Sequence, residues 1–249
     1  VQKRKKINPA VFNYLNSVLV DSYYTEDDSQ IKLFNGFRVL AVDGSKITLP
    51  FTQELMAFYG VTQNQHDTKV VQAVSSVFYD LLNRIAIDAS LDNVNSSERE
   101  LALGHKPHWK ENDLIIYDRG YPSYNFKYEH IKAGVNYLIR VKKSQSKVVG
   151  DFVASKKRSL IIDIFPPKRL EFEGKEYDIN TSIKIRLIRV DLPGAEVEVL
   201  MTSLLDSQIY PASIFKELYF LRWGVETYYD ELKNKLKVEF FTGYSKLTI

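Results

Sequence analysis

The stretch PASIFKELYFLRWGVETYYDELKNKL, residues 211–236, constrains this chain more than any other. Its spacing predicts one amphipathic helix. Successive helical residues turn by about 100°, so positions three and four apart share a face. Leu218, Leu221, Val225, Tyr228, Leu232 and Leu236 make a mostly apolar stripe that should bury. Tyr219, Arg222, Glu226, Asp230 and Lys233 make a second stripe along its border, within roughly a quarter of the circumference. A solvated face with i,i+4 ion pairs accounts for such a stripe, with Asp230 pairing to Lys233 or Lys237 or adding a ligand. A tyrosine, an arginine and a glutamate beside a buried edge also suit a cleft, which makes this helix a site candidate.

A helix of this kind needs a core to lie on. The 249 residues allow one large domain, or one domain with a sizeable insertion. The apolar share of 45% supports a real core and excludes a disordered chain. No cysteine is present, which excludes disulfides, zinc-thiolate sites and cysteine nucleophiles and fits a reducing cytosol. No apolar run reaches the ~18 residues of a membrane span, so no membrane partner is expected. The start, VQKRKKINPAVFNYLNSVLV, has a basic head and an apolar patch broken by Asn13 and Asn16, which reads as a helix rather than a signal peptide. Both ends read as those of an excerpt from a longer protein. A net charge of +3 argues against a general carpet of positive charge and permits a local basic groove. The basic residues cluster at 3–6, 142–147, 156–158 and 233–237.

Along the chain, residues 8–24 read as a helix with Asn8 as cap and Pro9 in the first turn, followed by a polar link over 25–30. Strands follow at 37–42, continuing at 47–49, then at 69–78 and 84–91, the last two joined by a tight connection at 80–83. A helix over 96–104 is capped by Asn95 or Ser96, with Glu98 in its first turn. A short apolar strand, 114–117, ends at Asp118-Arg119-Gly120. A helix over 123–133, closed by Gly134, leads to a strand over 135–141. Strands before alternating helix and strand argue for an α/β fold, a mixed sheet with helices on its faces. Then 159–165, 175–190 and 196–204 read as strands with no intervening helix. The expected division is a helical segment over 1–36, a core over 37–143, a β-rich insertion over 144–204 and the rest of the core over 205–249.

Two carboxylates stand where predicted strands stop, Asp43 before Gly44 and Asp118 before Arg119-Gly120. That position faces the crevice above an open α/β sheet, although Asp-Gly is also ordinary turn chemistry. With Glu226, three carboxylates lie on three elements, the number that can hold two divalent cations about 3.5–4 Å apart for phosphoryl transfer. Ligands that are all oxygen select Mg²⁺ or Mn²⁺. Arg119 and Lys46 read as turn residues or phosphate contacts. His66, His105, His108 and His130 share no ligand spacing and are expected in loops or on the surface, and Trp223 is expected in the core.

Tyr219, Arg222, Glu226 and Lys233, spaced Y-(2)-R-(3)-E-(6)-K, resemble the signature of bacterial insertion-sequence DDE transposases. AVDGSKITLP around Asp43 and YDRGYPSYNF around Asp118 resemble that family's two aspartate blocks. The resemblance implies an RNase H-like catalytic fold with Asp43, Asp118 and Glu226 as the catalytic, metal-binding triad for Mg²⁺ or Mn²⁺. It implies that the β-rich segment interrupts this fold. It also implies that Tyr219, Arg222 and Lys233 contact phosphates of double-stranded DNA, chemistry that suits their side chains and that of Arg119. The activity it implies is cut-and-paste transposition, metal-dependent cleavage and joining of DNA at transposon ends, by a homodimer in the bacterial cytoplasm and at the nucleoid. A nuclease of the same fold without strand transfer, or a domesticated DNA-binding protein that no longer cuts, are the other readings. Hairpin-forming members place a tryptophan in the insertion to stack on a flipped base. Here the tryptophans are Trp109 and Trp223, so Phe152, Phe165, Phe172 or Tyr177 would have to substitute.

Overall fold

Runs rich in Val, Ile, Leu and Tyr form nine strands in the computed structural model, which describes residues 7–25, 30–63 and 67–249. The basic cluster at 3–6, positions 26–29 of the polar link and His66 lie outside the described residues. The strands are β1 (Arg38–Leu49), β2 (Val61–Gln63), β3 (Lys69–Asp80), β4 (Ile85–Asn93), β5 (Asp113–Tyr117), β6 (Asn136–Val141), β7 (Ser159–Ile164), β8 (Ile183–Asp191) and β9 (Val197–Thr202). They pair in the order β2-β3-β1-β5-β6-β9-β8-β7, with β4 on β3. Seven helices accompany them: α1 (Ala10–Thr25), α2 (Gln53–Tyr59), α3 (Glu98–Gly104), α4 (Tyr124–Lys132), α5 (Lys147–Ala154), α6 (Ile214–Phe220) and α7 (Trp223–Asp230). This is the mixed α/β sheet with flanking helices that the sequence pattern predicts. The chain divides into two units, Val1–Leu33, Ala41–His108 and Trp223–Ile249 in the first, Phe34–Leu40 and Trp109–Arg222 in the second.

In the first unit, β3 and β4 form the expected hairpin. Asp80 builds its turn: Oδ1 accepts the N–H groups of Leu82 (3.0 Å) and Asn83 (2.8 Å), and Arg84 takes a φ of +59°. Asn8 caps α1 as predicted, its side-chain oxygen accepting from Ala10 N–H at 3.0 Å. On the same helix, the Asn16 amide donates to the Ile87 carbonyl on β4 at 2.9 Å. The sequence reading has no counterpart to α2, seven residues long, whose Leu55 and Tyr59 bury against Ile47, Leu49, Val71 and Ala73. Its start is set by Thr52, whose hydroxyl accepts from Leu55 N–H. His105 is a core residue, not a surface one. It is 1% exposed, with Nδ1 2.6 Å from Asp88 and Nε2 3.0 Å from the Ser76 hydroxyl.

In the second unit, β5 and β6 are parallel, and Ser123 and Gly134 bound the connecting α4 as predicted. His130 on this helix is also fully buried, bonded to the Phe126 carbonyl and the Tyr117 hydroxyl, which corrects its expected surface role. β9 pairs with β6, so β7–β9 extend the same sheet. The segment 144–204 is not purely β: it opens with α5, capped by Ser146. Nor does a strand fill 175–182. Asp178 diverts the backbone there by accepting from Asn180 N–H and the Thr181 hydroxyl, and β8 starts only at Ile183.

Lys127 on α4 is 7% exposed. Burial penalises its charged form and lowers its pKa to about 8, against an ordinary value of about 10.4. The unfolded chain therefore binds more protons between these two values, and stability rises with pH across that window. Below about pH 8 the full penalty is present. Lys127→Met is expected to stabilise the protein by roughly 2–3 kcal/mol at pH 7 and to remove this rise, as urea melts at pH 7 and pH 9.5 would read.

The predicted single helix over 211–236 is three pieces: α6, α7 and a π-helical turn over Glu231–Lys235 in which Leu236 N–H reaches back to the Glu231 carbonyl. Phe215, Leu218 and Tyr219 bury on α6, and Val225 and Tyr229 on α7, all on one helical stripe shifted from the predicted apolar one. The break is in the backbone, where Arg222 N–H turns to the Tyr219 carbonyl at 3.1 Å. Leu236, expected to bury, is 73% exposed.

Candidate functional site

Asp43 lies within β1, where the strand passes from full burial (Arg38–Val42) to half-exposure. The expected turn at Asp43-Gly44 does not occur, because the backbone stays extended through to Leu49. A Cβ at Gly44 would stand 3.3 Å from the carboxylate end of the exposed Glu98 side chain. Helix α7 is seated beside this stretch of β1. Val225 and Tyr229 pack with Ala41, Val77 and Tyr79. The Tyr229 hydroxyl is shared between the carbonyls of Asp43 (3.1 Å) and Ser75 (3.0 Å). Burial, with the negative charges of Asp43 and Glu98 nearby, raises the Tyr229 pKa and keeps the phenol a donor, although a hydrogen bond with Ser75 opposes the shift. Glu226 is three residues before Tyr229 on this helix. Lys233 is four residues after it, and its Nζ donates to the Ser45 hydroxyl and the Lys46 carbonyl, each at 2.7 Å. Asp230 accepts from Asn234 at 2.6 Å rather than pairing with a lysine. Trp223 is 52% exposed, not a core residue. Tyr229→Phe should cost about 1–2 kcal/mol of stability, because two part-buried carbonyls lose their donor; a chemical melt with an unchanged m-value would register it.

Asp118 follows the end of β5, as predicted, and belongs to the second unit. Its Oδ1 accepts from Arg140 Nε at 2.7 Å and from the Tyr219 hydroxyl at 3.0 Å. Burial alone would raise this carboxyl. Hydrogen bonds from Arg140, the Arg119 backbone N–H and Tyr219 outweigh it and hold the pKa below the usual carboxylate range, so Asp118 is ionised at neutral pH. Arg140 is itself braced, its Nη1 2.9 Å from Glu198. Tyr219 is 7% exposed, and burial together with Asp118 raises its pKa. Arg222, 4% exposed, lies with its guanidinium 5.8 Å from the Tyr219 ring centre. Arg119 is exposed and lines a cavity of about 370 Å³ with Arg140, Lys142 and Lys143.

The structure therefore groups the predicted residues as Asp43, Glu226 and Lys233 in one unit and Asp118, Arg119, Tyr219 and Arg222 in the other. Among the described residues no three His, Cys, Asp or Glu side chains gather into a group that could hold a metal ion. Sequence reasoning missed Arg140, Glu198 and Tyr229. A signal existed for Arg140: it is a lone charge in the apolar run VNYLIRV, on a strand expected next to the one that ends at Asp118. Of the four aromatics considered for base stacking, Phe152 and Tyr177 are core residues, whereas Phe165 is 56% exposed. Among the described residues no helix is long and apolar enough to cross a membrane.

The transposase DDE domain, a family that generally uses divalent metal ions, matches residues 35–244. The transposase InsG for insertion sequence element IS4, from Escherichia coli strain K12, is 26% identical over 220 residues. That match covers 85% of this chain and 47% of the relative, so the chain spans about half the length of the curated relative. Among solved structures, a piggyBac transposase synaptic complex with hairpin DNA matches with a TM-score of 0.48 and 12% identity, over 84% of this chain and 42% of that one. The NurA nuclease from Sulfolobus solfataricus matches with a TM-score of 0.32 and 13% identity, over 87% of this chain and 86% of that one. With the family's pattern present from residue 35 to residue 244, the chain belongs to the transposase DDE domain family.

Proposed function

We propose that this chain is the catalytic domain of a cut-and-paste DNA transposase, which cleaves DNA strands at element ends and joins the freed 3′-hydroxyls to target DNA. The observation that supports this most, within a chain of this family, is the Asp118 carboxylate held ionised by Arg140 and Tyr219. An ionised carboxylate is the form that a hard cation takes as ligand. Asp43, Asp118 and Glu226 are the proposed catalytic residues and ligands of Mg²⁺ or Mn²⁺. All their donor atoms are carboxylate oxygens, which fits these ions and not zinc or copper. When bound, a metal pair would supply an activated water or 3′-hydroxyl and charge stabilisation at the leaving oxygen.

The chain's own residues prepare that chemistry. Arg140 and Tyr219 fix the rotamer of Asp118. Tyr229 ties α7, and with it Glu226, to the backbone of Asp43. Tyr219, Arg222, Lys233 and Arg119 are the proposed side chains that position the phosphates of duplex DNA. The reading carries with it an RNase H-like core, interrupted by 144–204, a homodimer on paired ends, and a location at the bacterial nucleoid. Full-length protein incubated with Mn²⁺, a labelled element end and a plasmid target is expected to give covalent end–target products. Cleavage without joining would leave the nuclease reading and overturn transposition.

A further inference from the structure

We propose that one end of the second unit's sheet carries a phosphate-binding track that starts at Arg119, beside Asp118, and runs outward to Arg158 and Lys216, holding duplex DNA beyond the cleavage site. The inference rests on the transposase reading and extends it from Arg119 to cations that reading does not use, Lys142, Lys143, Arg158 and Lys216.

Two cavities open at this end. The first, about 370 Å³, has four cations in its wall: Arg119, Arg140, Lys142 and Lys143. The second, about 200 Å³, has three, Arg158, Arg189 and Lys216, with Ser213 beside them. The strand register puts both on one row. Val141 on β6 pairs with Val199 on β9, and Val199 pairs with Arg189 on β8. Arg189 N–H then donates to the Arg158 carbonyl, one residue before β7. At about 4.8 Å per strand, the row runs about 14 Å from β6 to β7. One DNA strand places a phosphate every 3.4 Å of axis, so this length matches about four steps.

The cavity walls carry more cations than acids. Some exposed cations elsewhere sit on carboxylates, Lys184 on Asp163, Lys235 on Glu231 and Lys132 on Glu176. Here the two acids that line the cavities are already taken, Glu198 by Arg140 and Asp191 by Arg189. Among the described residues Arg119, Lys142, Lys143, Arg158 and Lys216 form no ion pair, and all five are exposed. The two cavities thus hold seven cations against two acids in a chain whose net charge is only +3, a local surplus that an extended polyanion would neutralise. Arg189 is pre-positioned for this, with Nε on Asp191 at 2.7 Å and Nη1 on the Val153 carbonyl at 3.2 Å. Its remaining N–H groups are free to turn to a phosphate.

The test is the salt dependence of duplex binding by this 249-residue chain, followed by fluorescence anisotropy. Each phosphate contact contributes about 0.9 to the slope of log K against log salt. Arg158→Ala with Lys216→Ala should make the slope shallower by about 2, whereas Lys184→Ala, at the far end of β8, should leave it unchanged. Circular dichroism checks that both variants fold. A folded double variant with the wild-type slope overturns the track and leaves the transposase reading standing. An equal loss on single-stranded DNA overturns its assignment to duplex. Failure of the wild type to bind any duplex overturns both.

Discussion

Glu226→Gln is expected to reduce Mn²⁺-dependent cleavage of element-end DNA by the full-length protein on the order of 10³-fold or more, about 4 kcal/mol of lost transition-state stabilisation. The substitution keeps the size and shape of the side chain and removes its charge, which a divalent ion requires. The fold should survive. α7 is anchored by Val225 and Tyr229, which are buried against Ala41, Val77 and Tyr79, while Glu226 is only half-buried. The cleavage assay should therefore be read beside a thermal melt. Unchanged cleavage with an unchanged melt would remove Glu226 from the active site. Chelation of Mn²⁺ by EDTA should abolish wild-type cleavage in the same assay, because all three proposed ligands need the ion to act.

Asp113→Ala is expected to destabilise the protein by about 3–5 kcal/mol. Asp113 is fully buried and receives two bonds from Arg38, Nε to Oδ1 at 2.7 Å and Nη2 to Oδ2 at 2.8 Å. Its Oδ2 also accepts from the Lys110 backbone N–H at 2.8 Å. The pair joins the first residue of β1 to the first residue of β5 within the second unit. Removing the carboxylate takes from a buried guanidinium the counter-charge that Asp113 supplies, and that desolvation cost, not the lost attraction, dominates. Arg38→Met combined with Asp113→Leu should recover most of the loss, since an apolar pair carries no such cost. Against a typical total of 5–15 kcal/mol, the single variant should shift a urea midpoint strongly, and an unchanged midpoint would contradict the account. An intact fold with the pair replaced would also separate this structural role from catalysis.

Apolar, β-rich runs bounded by turn residues, and helix caps and stops, were a sound guide. The β3–β4 hairpin, the β5 strand and α4 with its Ser123 cap and Gly134 stop lie within a residue or two of their expected limits. Asp80 and Asn83 are local turn chemistry, and local chemistry is legible. The misses share a cause. Asp43-Gly44 reads as a strand end, but β1 runs on through it to Leu49, a course set by the strands it pairs with rather than by the dipeptide. His105 and His130 read as surface residues because their partners, Ser76 and Asp88 for one and Tyr117 and Phe126 for the other, are found only after folding. α5 was hidden in a stretch whose valines suit a strand as well as a helix, and Ser146 decides the matter by capping Val149 N–H.

The opening helix draws the line between the two kinds of knowledge. Its residue types and spacing by themselves determined that Tyr219, Arg222, Glu226 and Lys233 fall at helical intervals and that an apolar stripe runs beside them, because side-chain direction along a helix follows from the backbone period. Only tertiary structure decided that this stretch breaks after Phe220, where Arg222 N–H turns to the Tyr219 carbonyl, and ends in a π-helical turn. Tertiary structure also decided what Tyr219 touches. Its hydroxyl meets Asp118, 101 residues away, on an oxygen that Arg140 already holds. A contact across that separation depends on which strands pair, and the pairing is chosen by the burial of the whole sheet rather than by any local run of residues.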